Sequence, residues 1–291
     1  MKLIYGVLEN IFSAVVKILS LFSILMLGFI VIFIAKESIP VFQYTSFYNF
    51  ISGSEWRPIS STPQFGILPM ILASLYVSGI AVLIALPLGT GVAVFLNMVL
   101  NIRLSNSIRP IIDVMAGIPS VIYGFFGLLV IIKFFETSFS LASGESVLAA
   151  GIILSIMVLP YIIATCDDSM AKIIASYKIS SDVLGVSSWH LVKYLILPGS
   201  FRAIISALIL GLSRAMGETL AVMMVIGNSP VFPEILGKGE TIPALIALEM
   251  SGAQVGSNHY HGLFAAGLVL MLILLLINSI FYYLQEKLVG R

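Results

Sequence analysis

An arginine and a glutamate interrupt an otherwise apolar stretch late in the chain, within residues 203–227. Arg214 and Glu218 are four residues apart, a spacing that places two side chains on one face of a helix. If this stretch spans a membrane, each charge costs roughly 2.5–3.5 kcal/mol, so both side chains should face the protein interior or water. A guanidinium offers several donors to a tetrahedral oxyanion, and a carboxylate can hold it when no anion is present. The pair therefore predicts an anion pathway or its gate, with an internal salt bridge that only locks the helices as the alternative.

A second group of polar and helix-loosening residues lies earlier, between residues 117 and 127. Gly117 and Pro119, with two glycines further on, are expected to kink a helix and expose backbone groups near the middle of the membrane. The hydroxyls of Ser120 and Tyr123 are candidates for contact with the substrate. Satisfying the carbonyls that the kink frees is the other interpretation, and the favoured one.

Other kinds of chemistry have little support in the sequence. It contains no G-x-x-x-x-G-K-[ST] nucleotide-binding loop, no H-E-x-x-H metal motif and no G-x-S-x-G nucleophile motif. His259 and His261 are separated by one residue and lack a third ligand nearby, while Cys166 has no adjacent histidine. We therefore expect no cofactor, no metal site and no enzymatic reaction on this chain, which should instead move or hold a molecule.

The composition identifies the elements that must position these residues. The 291 residues are 59% hydrophobic and only 10% charged, with a mean hydropathy of +1.09. Soluble domains are near one quarter charged, and disordered chains are poorer still in apolar residues, so both classes are excluded. A net charge of +1 gives no field that would attract nucleic acid. The chain is therefore a multi-pass membrane protein.

Six stretches have the length and apolar character of membrane-spanning helices, which need about 20 residues. The first is longer than the apolar region of a usual signal peptide and is not followed by a cleavage site, so a retained helix is expected. The outer segment 36–64 is expected to lie along the membrane surface. The six predicted spans are residues 18–35, 67–96, 114–132, 146–166, 203–227 and 262–284.

The distribution of lysine and arginine predicts the orientation, because cytoplasmic loops are enriched in both. With the N-terminus inside, ten basic residues are cytoplasmic and four are outside. We therefore expect both termini to lie in the cytoplasm. The expected location of the chain is the inner membrane of the cell. Asp113, near Arg109 at the inner end of the third span, is expected to form an interfacial ion pair. The ten cytoplasmic residues are Lys2, Lys17, Arg103, Arg109, Lys172, Lys178, Lys193, Arg202, Lys287 and Arg291.

The cytoplasmic segment 167–200 has the pattern of two short helices joined by a bend. Apolar residues recur at near-helical spacing up to Leu184, Gly185 interrupts them, and a second amphipathic turn begins at Trp189 and ends before Pro198. This pattern predicts a compact projection that could fill a groove on a partner. An amphipathic segment lying on the inner leaflet is the alternative.

The same segment resembles the coupling loop of ABC-importer permeases. Gly185, nine further residues and then Leu195-Ile-Leu-Pro198 match that loop, although Ile179-Ser-Ser181 stands where the family has Glu-Ala-Ala. The resemblance implies docking onto two separate ATPase subunits, with the acid missing or replaced by a neighbour. It implies the coupling residues Asp182, Leu184, Gly185 and Trp189.

Three further segments resemble the phosphate-specific ABC permeases, and they match the PstC-type subunit better than its PstA partner. They are residues 85–96 (ALPLGTGVAVFL), 116–128 (AGIPSVIYGFFGL) and 213–222 (SRAMGETLAV), and the match extends from about residue 65 to the C-terminus. The resemblance implies an all-helical type I ABC-importer permease fold. It also implies a second, PstA-like permease subunit, two ATPase subunits and an extracytoplasmic phosphate-binding protein as partners.

The combined prediction is a permease subunit of an ATP-driven phosphate importer that performs no chemistry alone. Residues 1–64 hold the first span and the outer segment, residues 65–285 the transport domain, and residues 286–291 a cytoplasmic tail. Two alternatives stay open: a permease for another oxyanion such as sulfate or molybdate, and an ATP-independent channel or scaffold whose 167–200 loop lies on lipid.

Overall fold

A computed structural model describes residues 2–139 and 143–289, so Arg291 and the end of the predicted tail lie outside the described residues. Most of the described chain is helical, with one 3-10 helix, Ile39–Gln43, two π-helical segments, Gly127–Ile131 and Val192–Ile196, and two short strands, β1 Trp56–Arg57 and β2 Gln64–Phe65. The α-helices are α1 Lys2–Ser38, α2 Phe47–Ser52, α3 Leu68–Met98, α4 Ile102–Ala116, α5 Ser120–Phe126, α6 Ile132–Phe139, α7 Val147–Val183, α8 Ser188–Leu191, α9 Leu197–Gly199, α10 Phe201–Gly217, α11 Leu220–Met223, α12 Ile242–Glu249 and α13 Asn258–Val289.

The number of membrane-spanning elements agrees with the prediction. Five helical stretches within the described residues are long and apolar enough to cross a membrane, and α8–α9 followed by α10 forms a sixth candidate that is bent by 61°. The fold is therefore an all-helical, multi-pass membrane fold. The cytoplasmic placement of both termini stays a prediction; below, "inner" names the end of the bundle that the charge distribution assigns to the cytoplasm.

The predicted third span, 114–132, has the wrong boundaries. A separate amphipathic helix, α4, ends at Ala116, and the span itself runs from Ser120 to Phe139. Pro119 lacks a backbone N–H and disfavours helical geometry in the residue before it, so the chain breaks at 117–119. The apolar window of the sequence had joined the end of one helix to the start of the next.

The bundle is organised around α7, which packs against both α3 and α10. Around Ile162 of α7, a Cβ atom on Gly89 would lie 2.6 Å from Cγ2, and one on Gly211 would lie 3.1 Å from Cδ1. Because these two glycines have no side chain, α3 and α10 can both approach this isoleucine closely.

A second core occupies the outer end of the molecule. Residues 39–67, α12 and the first turns of α13 pack around Phe50, Trp56, Phe65 and Leu245, and we call this unit the outer cap. The two strands pair antiparallel with Trp56 opposite Phe65. The outer segment therefore folds into a core of its own, and does not simply lie along the membrane as predicted, because its aromatic side chains find apolar partners on α12 and α13.

Candidate substrate pathway and inner projection

Two interrupted helices lie side by side in the transport domain. One interruption separates α4 from α5, and the other, at Glu218 and Thr219, separates α10 from α11. A Cβ atom on Gly124 of α5 would lie 2.6 Å from Sδ of Met224 and 3.2 Å from Cα of Ala221, so the helices that follow the two breaks touch. Breaks of this kind are tolerated in membranes only where protein or water satisfies the freed backbone groups.

Arg214 lies in the last turn of α10 with an exposed side chain. Its guanidinium carbon lies 4.1 Å from the centre of the Tyr161 ring, within the range of a cation–π interaction. In the described part of the chain, no ion pair joins Arg214 to Glu218. The guanidinium keeps its hydrogen-bond donors available while the aromatic ring fixes its position.

The prediction that Arg214 and Glu218 share one helical face is wrong. α10 ends at Gly217, and Glu218 has extended backbone angles, φ −73° and ψ 129°. Its Oε1 accepts a hydrogen bond from the backbone N–H of Ala221 at 3.3 Å, so the carboxylate satisfies a free donor at the start of α11. The four-residue spacing has its helical meaning only while the helix continues, and this helix does not.

Two tyrosine hydroxyls satisfy the last carbonyls of α4. Tyr123 donates to the carbonyl of Met115 at 2.9 Å, and Tyr161 donates to that of Ala116 at 2.6 Å. Tyr123 is buried. Its hydrogen bond is of the kind expected in the favoured interpretation, in which a hydroxyl satisfies a carbonyl that the kink frees. Ser120 is half-buried at the first position of α5, next to this contact. Sequence reasoning missed Tyr161, which connects the end of α4 to Arg214.

Arg109 has a different partner from the one predicted. Its Nε donates to Oδ2 of Asp167 on α7 at 2.7 Å, whereas Asp113 only lines the small cavity beside this pair. Hydrogen bonding to Asp167 raises the pKa of Arg109, although burial opposes the shift, so the guanidinium stays charged. The sequence does show Asp167 as an acid at the inner end of an apolar span. Because 58 residues separate it from Arg109, the sequence alone did not indicate that the two form a pair.

The inner segment forms the helix–bend–helix projection that its pattern predicts, and we call residues 177–195 the inner projection. α7 continues without interruption from the membrane to Val183, and Gly185 then adopts a φ of +68°, in the left-handed region that favours glycine. The backbone N–H of Val186 donates to Ser181 and that of Gly185 to Asp182, which is the Schellman arrangement. The bend is therefore a helix C-cap.

The two faces of the inner projection differ sharply in exposure. Leu191 and Val192 are buried against the bundle, which anchors the projection. By contrast, Leu184 is 77% exposed, Trp189 is 72% exposed, and Asp182 is also exposed. Neighbouring apolar side chains exposed at this level mark an interaction surface.

The two histidines discussed above belong to the outer cap. His259 Nε2 lies 2.6 Å from Oε2 of Glu249, to which Trp56 Nε1 also donates at 2.8 Å. His261 Nδ1 lies 2.7 Å from the carbonyl oxygen of Glu37. Each ring therefore ties the first turn of α13 to the end of another helix, α12 for His259 and α1 for His261.

Known proteins with similar sequences are membrane components of transporters. The family described as "Binding-protein-dependent transport system inner membrane component" matches residues 85–291. The chain is 36% identical to the probable ABC transporter permease YqgH of Bacillus subtilis, over 82% of the chain and 78% of that protein. It is 31% identical to the phosphate transport system permease PstC of Mesorhizobium japonicum, over 99% of the chain and 93% of that protein. It is 38% identical to the probable PstC of Methanocaldococcus jannaschii, over 76% of each.

The fold is also similar to solved ABC transporters. A chain of a bacterial ABC transporter that imports the polysaccharide alginate superposes with a TM-score of 0.62 at 15% identity, covering 96% of this chain and 99% of that one. A second structure holds the alginate transporter in complex with a pentasaccharide-bound periplasmic protein, with a TM-score of 0.61 at 18% identity over 92% of this chain and 94% of that one. At such identities the likeness concerns the fold and not the substrate.

Proposed function

The chain belongs to the family of binding-protein-dependent transport system inner membrane components, and on that premise we propose that this ABC-importer permease carries inorganic phosphate. Relatives that resemble it over most of their length are named as phosphate transport permeases, and the SRAMGETLAV segment lies within the part that the family matches. Permeases of this class are transport components that catalyse no reaction themselves.

The observation that carries the proposal is the state of the Arg214 guanidinium. It is exposed, held over the Tyr161 ring and not neutralised by Glu218. A planar fork of N–H donors fits two oxygens of a tetrahedral phosphate, whereas a guanidinium already paired with a carboxylate would offer fewer donors and no net charge. The cation beside two broken helices is therefore the group best suited to attract the anion.

The other pathway residues support Arg214 in different ways. Glu218 caps α11, so its carboxylate lies at the break without neutralising the charge of Arg214. In the proposed pathway this negative charge repels an anion unless the anion carries a proton that it can donate to the carboxylate. Tyr123 and Ser120 stand at the other break, where Tyr123 fixes the end of α4. In the proposed pathway, Ser120 offers a hydroxyl to the passing anion and Tyr123 holds the backbone around it.

The inner projection is proposed to dock an ATPase subunit. Its exposed apolar residues, Leu184 and Trp189, follow a helix that runs uninterrupted into the transport domain. Gly185 sets the direction of the bend, and Asp182 takes the place of the acid that the family carries in its coupling motif. A second, PstA-like permease, two ATPase subunits and an extracytoplasmic phosphate-binding protein complete the proposed importer.

The test is ATP-dependent uptake of radiolabelled phosphate by vesicles that contain the whole complex. Changing Arg214→Gln removes the charge but little volume, and uptake should fall at least tenfold while the subunits still co-purify. Arg103→Gln, which removes an exposed arginine from the first turn of α4, is the matched control and should leave uptake unchanged. Arg214→Lys keeps the charge without the fork of donors and should give an intermediate rate.

Three results would contradict the proposal in different places. Normal uptake with Arg214→Gln would reduce Arg214 to a structural role. Uptake of sulfate or molybdate but not phosphate by the native complex would replace the substrate with another oxyanion. Transport that continues without ATP or any ATPase subunit would favour the channel alternative.

A further inference from the structure

A hydrogen-bonded cluster at the inner end of the bundle joins α3, α4 and α7 through residues that the proposed substrate pathway does not include. Asp167 on α7 is buried and accepts from Arg109 of α4 twice, from Nε at 2.7 Å and from Nη2 at 3.1 Å. Asn97 of α3 donates to the same carboxylate at 2.5 Å and accepts from Arg109 Nη2 at 3.2 Å. Asn106 accepts from Nη1 at 3.1 Å. We call Arg109, Asp167 and Asn97 the inner clasp.

The geometry of the inner clasp makes it stiff. A bidentate arginine–carboxylate pair fixes both the distance and the orientation of its two partners, unlike a single contact between point charges. Separating a partly buried pair leaves an uncompensated charge in an apolar setting, which is strongly unfavourable. α4 and α7 are therefore expected to move as one body at the level of Asp167.

The inner clasp is not itself a site for the transported anion. Asp113, Asp167 and Asp168 all line the cavity of about 100 Å³ beside Arg109. Three carboxylates around one guanidinium give the cavity a net negative charge, which repels phosphate. The role of Arg109 must come from what it connects.

Each clasped helix leads to a different part of the proposed machine. From Asp167, α7 continues for 16 residues, about 24 Å, to the inner projection at Val183. From Arg109, α4 continues for about 10 Å to Ala116, whose carbonyl accepts the Tyr161 hydroxyl. The Tyr161 ring supports Arg214. Tyr161 lies on α7, so this helix connects the projection to the ring under the pathway arginine directly, and Arg109 adds α4 and its broken end to the same unit.

We propose that Arg109 and Asp167 are positioning residues that transmit movement of the inner projection to the broken helices around Arg214. The proposal rests on the proposed function, because it needs an ATPase to move the projection. The inner clasp itself binds no substrate and no nucleotide. Its role is to make α4, and with it the backbone at 115–117, follow α7.

The test compares phosphate uptake with ATP hydrolysis in the reconstituted complex, including the binding protein. With Arg109→Gln, uptake should fall at least tenfold while hydrolysis stimulated by the binding protein changes by less than twofold. The number of phosphates moved per ATP should therefore fall fivefold or more. Arg103→Gln, six residues away on the same helix, should leave both rates unchanged. Arg109→Lys retains the charge but loses the fork, and should restore part of the ratio.

The ratio separates transmission from stability. A variant that only folds or assembles poorly loses uptake and hydrolysis in parallel, and such a parallel loss in Arg109→Gln would overturn the proposal. If that variant does not assemble, Asp167→Asn is the replacement, since it has nearly the same shape and should lower the ratio in the same way. An unchanged ratio in either assembled variant would show that the inner clasp is passive.

A second measurement does not depend on the identity of the substrate. Cys166 is the single cysteine of the sequence and is buried, so a chain with Cys166→Ala and Ser120→Cys carries one thiol, at the broken helix. ATP and binding protein should change its reaction rate with a water-soluble thiol reagent at least threefold, and by less than 1.5-fold once Arg109→Gln is added. An equal change with and without Arg109 would overturn the inner clasp. If the Ser120→Cys complex shows this change, and the native complex hydrolyses ATP but moves no phosphate, the substrate assignment fails and the inner clasp stands.

Discussion

The two tryptophans of the chain lie in regions that use an aromatic ring in opposite ways. Trp56 in the outer cap is 6% exposed, packs edge-on against Phe65 and donates its N–H to Glu249. Trp189 in the inner projection is 72% exposed and borders an open apolar cavity whose other walls include residues of α3. One end of the molecule completes its own core, whereas the other end buries only the anchoring face and leaves the second face free.

This difference indicates what each region can do alone. The apolar and polar groups of the outer cap contact one another, so removing a buried side chain from this cap should affect folding. Only the anchoring residues of the inner projection pack against the bundle. Removing an exposed side chain from the projection should therefore affect assembly and leave folding intact. The same residue type can therefore be used to test both statements.

The largest effect is expected for Trp56→Ala. The change removes a large buried ring and leaves a carboxylate of Glu249 without one of its donors, so the free energy of unfolding should fall by about 3–5 kcal/mol. Thermal unfolding of the purified chain in detergent measures this. Tyr48→Ala, at an exposed position of α2 in the same cap, should change stability by less than about 0.5 kcal/mol. Equal effects of the two changes would contradict a closed core at the outer end.

The next effect concerns a buried acid just before α12 of the outer cap, which has no counterpart among the residues of the inner projection. Glu240 lies outside the membrane-spanning helices and is 4% exposed; burial, with a smaller effect of Glu249, raises its pKa to about 7. The folded state therefore holds a proton that the unfolded state has already lost above pH 4.5. The stability contributed by the protonated acid is complete below pH 4.5 and is lost as the pH rises to about 7.

The variant Glu240→Gln should remove this pH dependence. At pH 8 it should be more stable than the native chain by up to about 3 kcal/mol, and near pH 4.5 the two should be equal. Denaturation in detergent at the two pH values measures the difference. Glu234→Gln, at an exposed position of the same loop, should have little effect at either pH. If the native chain is equally stable at both pH values, the predicted rise in the pKa of Glu240 on folding is contradicted.

The smallest effect is expected for Trp189→Ala, and it should appear in assembly alone. Because an exposed aromatic at the centre of a docking surface is often a main contributor, affinity for the ATPase subunit should fall about tenfold, or about 1.4 kcal/mol. Titration of the ATPase onto the chain in lipid nanodiscs measures this. Tyr44→Ala, an exposed aromatic of the outer cap, is the control. A stability loss as large as that of Trp56→Ala would contradict the free face of the inner projection.

The sequence predicted the features that depend on composition and on single special residues. Apolar windows predicted six spans, and the described residues hold five spanning helices and one bent sixth candidate, since a bilayer demands long uncharged helices. Gly185 predicted the bend of the inner projection because only a residue without a side chain adopts its φ readily. Both inferences are local, and the surrounding fold does not alter them.

Features that depend on where helices end, or on distant partners, were not predictable in this way. The apolar window at 114–132 continued through a break that Pro119 imposes. Arg214 and Glu218 were assigned one helical face because their spacing is helical, yet Gly217 is the last residue of the helix. Asp167 was unrecognised as the partner of Arg109 because tertiary packing alone brings α4 against α7.

The length of α7 has a mechanical meaning. Its 37 residues extend about 55 Å, well beyond the roughly 30 Å of bilayer hydrocarbon, and the close contact of Gly89 and Gly211 with Ile162 divides it unequally. About 22 Å of helix lies outward of Ile162 and about 32 Å lies inward of it. If α7 tilts as a rigid body about Ile162, a rotation of about 5° displaces Val183 by about 3 Å and Val147 by about 2 Å in the opposite direction.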